Sequence, residues 1–292
     1  MNQLLGEYQN GNYNVSLYQD GTKIRENELD YFYPVFPECM DVKITNYCDM
    51  GCPYCHENST VQGLHGDILQ AQFIDTLIPY TELAIGGGNP LSHPDILEFL
   101  NKLKDKNIIA NITVNQKHFE NEQELIKKLI EDKLVYGLGI SFTHTTDNFI
   151  NLVKEYPNAV LHIINGVVRQ EELEKLYGLN LKLLILGYKQ FRRGNDYYSE
   201  EVENNKNIMF NKLPEILTKF KVVSFDNLAI KQLEVKRLLS EEKWKEFYMG
   251  DDGQYTMYID LVKNEFARSS TSVDRFELKD NINDMFEVVR NL

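Results

Sequence analysis

The sequence is short of cysteine, proline and positive charge, and it has no long apolar run. Four cysteines in 292 residues, three of them inside one eight-residue stretch, exclude the spread disulfide framework of a small secreted domain. No stretch reaches the roughly 18 consecutive apolar residues that mark a membrane-spanning helix. Met1-Asn2-Gln3-Leu4-Leu5-Gly6-Glu7 has neither a basic start nor the apolar centre of a secretory signal, so a reducing cytoplasm is the expected setting for the thiols. Lys and Arg total 31 against 44 Asp and Glu, a net charge of −13. That balance repels phosphate backbones and argues against duplex nucleic acid as a partner. With 8 prolines and no low-complexity tract, nothing reads as a linker.

What is present is a repeating alternation of strand and helix. Strand-like runs fall at 42–45, 82–85, 108–114, 137–142, 160–164 and 181–186. Helical patterns lie between them at 68–78, 96–104, 122–131, 147–156 and 170–177. In the third of these, Leu125, Ile126, Leu129 and Ile130 share one helical face. Strands joined by helical crossovers imply a parallel sheet, either open and doubly wound or curved into part of a barrel. In both cases ligands collect at the C-terminal strand ends.

The flanks differ. Residues 1–38 read as an N-terminal β extension, with hairpin-turn dipeptides Asn10-Gly11 and Asp20-Gly21 around residues 13–18. After the core at 39–195, residues 196–292 read as a C-terminal extension. It contains a helix at 205–220, a seventh strand at 222–225, a helix at 234–247 and a hairpin formed by 255–262 and 265–267. One structural domain accommodates all three parts.

The concentrated signal is Cys48-Asp-Met-Gly-Cys52-Pro-Tyr-Cys55, a C-x3-C-x2-C loop directly after the first strand of the array. Three thiolates hold three irons of a cubane cluster and leave the fourth open, whereas full cysteine ligation takes four. The competing reading is a structural zinc knot completed by Cys39 or His56, in a protein that binds a partner without catalysis. Structural zinc prefers paired C-x2–4-C units, and neither residue is well placed to close a tetrahedron. Cys39 reads instead as a small buried hydrophobe.

The cysteine loop, with Tyr54 before its last cysteine, resembles the radical S-adenosylmethionine (SAM) superfamily. Gly87-Gly88-Asn89-Pro90-Leu91 after the second strand is similar to the family's G-G-E-P-L, with Asn89 in place of the usual Glu. The resemblance covers residues 39–190 and implies a partial (β/α)6 TIM-like barrel, with the N-terminal hairpin and C-terminal α/β extension added to it. It implies a 4Fe–4S cluster on Cys48, Cys52 and Cys55, and SAM held by Tyr54, Gly87, Gly88 and Asn89. Ser141 and Asn165, ending the fourth and fifth strands, match positions often used for SAM contacts, and Asn115 is a third such position. The implied reaction is reductive SAM cleavage to a 5′-deoxyadenosyl radical that abstracts a substrate hydrogen. A reduced flavodoxin or ferredoxin is the implied electron donor. Whether SAM is consumed or recycled is open at this level.

The substrate is read as a small metabolite or nucleotide, with a peptide or protein side chain as the alternative. No second cysteine cluster of the kind common in peptide-remodelling members occurs toward the C-terminus. Lys189, Arg192 and Arg193 follow the sixth strand and are candidates for a substrate carboxylate or phosphate. His56, Glu57, His65 and His144 fall on loops at the same edge as candidates for proton movement. Residues 269–272 are a polar segment that either exits to solvent or closes over the mouth.

Overall fold

A computed structural model describes residues 3–29 and 31–292. Its centre is a ten-stranded sheet whose strands follow the sequence. Seven parallel strands run side by side: β4 (Cys39–Thr45), β5 (Glu82–Gly87), β6 (Ile109–Asn115), β7 (Gly137–Ser141), β8 (Ala159–Ile164), β9 (Lys182–Leu186) and β10 (Val222–Phe225). Consecutive parallel neighbours with helices on one side build a partial barrel. Among the described residues β10 pairs only with β9, so the sheet does not close on itself.

Period-two patterning sets the two faces. Met40, Val42 and Ile44 of β4 are buried against the helices, together with Leu83, Ile85, Ile112, Ile140, Leu161 and Leu183 from neighbouring strands. The alternate residues face the concave interior. On β4 these are Cys39, Asp41, Lys43 and Thr45; on β6 they are Ile109, Asn111, Thr113 and Asn115.

The helices on the outer face are α1 (Ile96–Asp105), α2 (Gln116–Asn121), α3 (Gln123–Glu131), α4 (Asp147–Val153) and α5 (Gln170–Glu174). Expected helix 122–131 is present as α3, preceded by the extra turn of α2, which Asn115 caps through the Lys117 amide. Expected helix 68–78 is absent. Only a 3₁₀ turn, Gln72–Thr76, forms there. The chain is still held extended at Gly66, whose amide donates to the Ile44 carbonyl at 2.8 Å, and Pro79 disfavours helix just beyond. One turn is all that fits between them.

The flanks are larger than expected. Instead of a single hairpin, β1 (Leu4–Asn10), β2 (Tyr13–Tyr18) and β3 (Lys23–Glu26) form a three-stranded antiparallel sheet. It is seated by a small core of Tyr8, Tyr13, Val15, Phe36 and Tyr255. After β9 come α6 (Arg193–Tyr197) and α7 (Glu200–Ile216), which starts earlier than expected because Ser199 caps the Val202 amide. Expected helix 234–247 is broken. It becomes α8 (Asn227–Gln232), a left-handed Glu234, a 3₁₀ turn at Val235–Leu238 and α9 (Glu241–Phe247), capped by Ser240.

The expected C-terminal hairpin exists as β11 (Thr256–Asp260) and β12 (Glu265–Ala267), followed by β13 (Phe276–Glu277). Unexpectedly, β11 also pairs in parallel with β4, so the C-terminus extends the main sheet on its first-strand side. Helix α10 (Ile282–Arg290), also unforeseen, buries Ile282, Met285, Phe286 and Val289 in the main core.

Candidate active site at the C-terminal strand ends

The cysteine loop leaves the C-terminal end of β4 and is pinned there by backbone bonds. The Cys48 amide donates to the Thr60 carbonyl at 2.9 Å, and the Thr60 amide donates to Asn46 at 3.1 Å. Cys48, Cys52 and Cys55 are free thiols, each partly exposed. Burial raises the Cys48 and Cys52 thiols above their ordinary range, so a soft cation is needed to hold them as thiolates. Among the described residues no group of three or more His, Cys, Asp or Glu converges on a single metal ion.

Cys39 begins β4, at the end of the strand away from the loop. Seven strand residues separate the two places by roughly 20 Å, too far to close a tetrahedron with the loop. Its thiol is pushed up by burial, as suits an inert residue. The donor set therefore fits a cubane held at three corners and does not fit a zinc knot that uses Cys39.

The glycine segment is fitted to this loop. The Gly88 amide donates to Thr45 at 2.8 Å, and the Asn89 amide donates to Tyr47 at 2.7 Å. Gly87 has φ +117, and a Cβ there would lie 2.4 Å from the Thr45 carbonyl oxygen. Only glycine satisfies both demands. A Cβ on Gly86, by contrast, would meet nothing within 4 Å, which leaves an open cradle beside the cysteine loop. The Asn89 side chain accepts from the Leu91 amide at 3.2 Å and caps the 3₁₀ turn Pro90–Ser92. Its amide thus has a local structural role in this chain.

Tyr54 is half-buried and meets Tyr197 edge-on at 5.6 Å. Ser141 ends β7 on the inner face, and its hydroxyl has no partner among the described residues. Asn115 reaches the loop itself, with Nδ2 at 3.9 Å from Cys52 Sγ. Asn165 is fully buried just after β8. Its Nδ2 donates to Gln232 Oε1 at 3.1 Å, while its Oδ1 is unpartnered. Gln232 in turn brackets the Tyr188 backbone through both of its amide atoms. Through Gln232, Asn165 is linked to the loop after β9, and its Oδ1 stays open.

The three basic residues after β9 divide in role. Arg192 donates to the Glu57 carbonyl at 2.9 Å, and Arg193 donates to the Ser59 carbonyl at 2.7 Å. Both guanidinium groups, expected to meet substrate, are engaged in clamping the cysteine loop. Lys189 donates to Ser270 Oγ at 3.0 Å and lies 3.4 Å from His56 Nε2. It thereby ties the 269–272 segment to the loop after β9, which favours closure of that segment over a free exit to solvent.

Of the remaining candidates, His65 bonds the Thr45 hydroxyl at 2.9 Å and stacks near Tyr47 and His93. His144 lies on a loop held by Gln116. Glu57 sits in the wall: Lys43 Nζ is 2.9 Å from its Oε2, and the Tyr258 hydroxyl donates to its Oε1 at 3.3 Å. Burial opposes its ionisation, but His56 and Lys43 hold the carboxyl well below the usual range.

Sequence reasoning missed several supports of the site. Lys43 is buried between Glu57 and Asp260. His118 holds Asp49 of the cysteine loop at 2.7 Å. A lysine inside an otherwise apolar strand was the available signal for the first; nothing local marks the second.

A thiol loop, an adjoining glycine cradle and an open inner face, all at the C-terminal ends of a sequentially ordered parallel sheet, define an enzyme of the partial-barrel α/β class. Residues 42–179 match the family model described as "Radical SAM superfamily". The match marks residues 42–179 as the domain of a radical SAM enzyme.

Three crystal structures of Streptococcus suis SuiB have a similar fold. One, bound to the precursor peptide SuiA, is 16% identical with a TM-score of 0.57, covering 89% of this chain and 68% of that one. One bound to S-adenosylmethionine is 13% identical with a TM-score of 0.57, covering 94% and 83%. A third is 13% identical with a TM-score of 0.58, covering 99% and 87%. At such identities the likeness concerns the fold. A comparison with curated proteins found no match.

Proposed function

We propose that Cys48, Cys52 and Cys55 hold a 4Fe–4S cluster and that SAM lies in the cradle beside it. The chemistry these groups supply when bound is a 5′-deoxyadenosyl radical that takes a hydrogen atom from substrate. The observation that carries this reading is the juxtaposition of three free thiols with the open space at Gly86.

The protein's own residues place and shield. Arg192 and Arg193 fix the cysteine loop from one side and His118 from the other. The backbone of Gly87, Gly88 and Asn89 would line the cradle, and Tyr54, Ser141, Asn165 and Asn115 would supply further contacts to SAM. Lys189 and Ser270, bonded to each other at 3.0 Å, would narrow the mouth and help to exclude water from the reacting centre. A reduced flavodoxin or ferredoxin in the cytoplasm would supply the electron.

The narrowed mouth favours a small metabolite or nucleotide as substrate. A peptide substrate is the second reading, supported by the fold likeness to SuiB bound to its precursor peptide. The test is anaerobic reconstitution followed by reductant and SAM. About four irons per chain and release of 5′-deoxyadenosine are expected. Normal iron loading after replacing all three cysteines by alanine would sink the assignment.

A further inference from the structure

A large cavity lies away from the cysteine loop, at the N-terminal ends of the strands. Its volume is about 530 Å³, and its wall combines inner-face residues of β5 to β10 with the β2–β3 turn at residues 19–22. Two hydrogen bonds secure that turn: Lys182 Nζ to the Asp20 carbonyl at 3.2 Å, and Asn158 Nδ2 to the Gln19 carbonyl at 3.1 Å. A closed barrel would fill this space with large side chains. Here Ala84, Gly137, Gly139 and Ser224 leave it empty.

Two carboxylates, Asp20 and Glu82, and two lysines line the cavity. Lys182 and Lys221 both line it, and neither makes an ion pair among the described residues. Lys182 is only 9% exposed. Its ammonium is depressed by burial and by Lys221, against a smaller opposing effect of Asp20. The cavity's other carboxylate, Glu82, is already matched by Lys23 at 2.6 Å. Two neighbouring lysines, neither of them ion-paired among the described residues, are an arrangement that an anion would stabilise.

Deeper in the cavity the imidazole of His162 has no hydrogen-bond partner among the described residues, and neither has the Thr113 hydroxyl. Burial lowers His162 to about 4, so it stays neutral near pH 7 and offers one donor and one acceptor.

We propose that this cavity binds a small molecule bearing a carboxylate or phosphate, with Lys182 and Lys221 holding the anionic group and His162 and Thr113 its uncharged body. The inference rests on the cavity and its charges and stands apart from the assignment of the cluster end.

The test is calorimetric titration of the reconstituted enzyme with inorganic phosphate and, separately, with glutarate, at matched ionic strength. Saturable binding of either probe is expected, and the tighter one identifies the anionic group. Lys182→Met and Lys221→Met should each weaken it at least tenfold. Lys221 is exposed, so Lys221→Met tests the site without threatening the fold. Absence of saturable binding by both probes, or unchanged affinity in Lys221→Met, overturns the proposal. Loss of 5′-deoxyadenosine formation in the wild type would instead count against the cluster-end reading.

Discussion

Lys43 Nζ lies 2.9 Å from Glu57 Oε2, joining the inner face of the first barrel strand to a residue two places beyond the last cysteine. The same ammonium is 3.2 Å from Asp260 on β11, so one buried cation neutralises two carboxylates from different parts of the chain. Lys43→Met removes that cation, leaves Asp260 without its ion pair and leaves Glu57 with only Arg192 at 3.5 Å and His56 at 3.4 Å. The expected loss is about 3–5 kcal/mol of stability, read by denaturant unfolding of the iron-free protein. A loss below 1 kcal/mol would show that the network is not structural.

The two neighbouring glycines separate folding from ligand binding. Gly87→Ala sets a Cβ against the Thr45 carbonyl at φ +117. It should cost on the order of 1–3 kcal/mol and lower the melting temperature. Gly86→Ala meets nothing within 4 Å and should fold normally, yet its methyl group enters the cradle. Its melting temperature should match the wild type while SAM affinity falls. Equal SAM affinity would remove the cradle from the site.

The guanidinium clamps are expected to act on the loop and not on the substrate. Arg193→Met deletes the bond to the Ser59 carbonyl, a charged hydrogen bond worth about 1.5–3 kcal/mol. Iron retained per chain after gel filtration should fall, and limited proteolysis should cut within residues 46–65. A variant with full iron and intact loop protection but weaker substrate turnover would return Arg193 to the substrate side.

Cys39→Ser should leave iron content unchanged, because Cys39 lies at the far end of β4 from the loop. Cys52→Ala should lose it. Iron analysis of the two variants decides between three-thiol and four-thiol ligation.

Asp41 gives a pH signature. Its side chain is exposed at the open inner face of β4, yet the protein packed around it pushes the carboxyl up to about 6, against the effect of Lys189 and with further help from Asp252, Asp226 and Glu57. Between its ordinary value and 6 the folded chain binds more protons here than the unfolded chain does, so stability falls as pH rises through that window. Asp41→Asn should therefore raise the melting temperature at pH 8 and leave it unchanged at pH 3. A parallel pair of curves would show that Asp41 is solvated like a surface carboxylate.

The alternation of strands and crossovers was legible because each strand carries its own period-two pattern and each crossover its own turn signals. Helix 122–131 was readable from Leu125, Ile126, Leu129 and Ile130, and the structure forms it as α3. Helix 68–78 was misread because its apolar residues are buried by the surrounding core and not by a helical stripe. The break at Glu234 was hidden because a left-handed residue there needs no glycine in the sequence.

The cysteine loop and the glycine segment were visible because their chemistry depends on residue type and short spacing. By itself, the sequence marked the three-cysteine loop, the glycine segment and the alternation of strand and helix, since each rests on residue type, short spacing or local periodicity. Only the tertiary structure decided that Arg192 and Arg193 grip the cysteine loop and that β11 returns to pair with β4. It alone joined Lys43 to Asp260 and brought Lys182 and Lys221 to one cavity. Such contacts join residues far apart in the chain, and long-range pairing leaves no periodic mark on the segments it brings together.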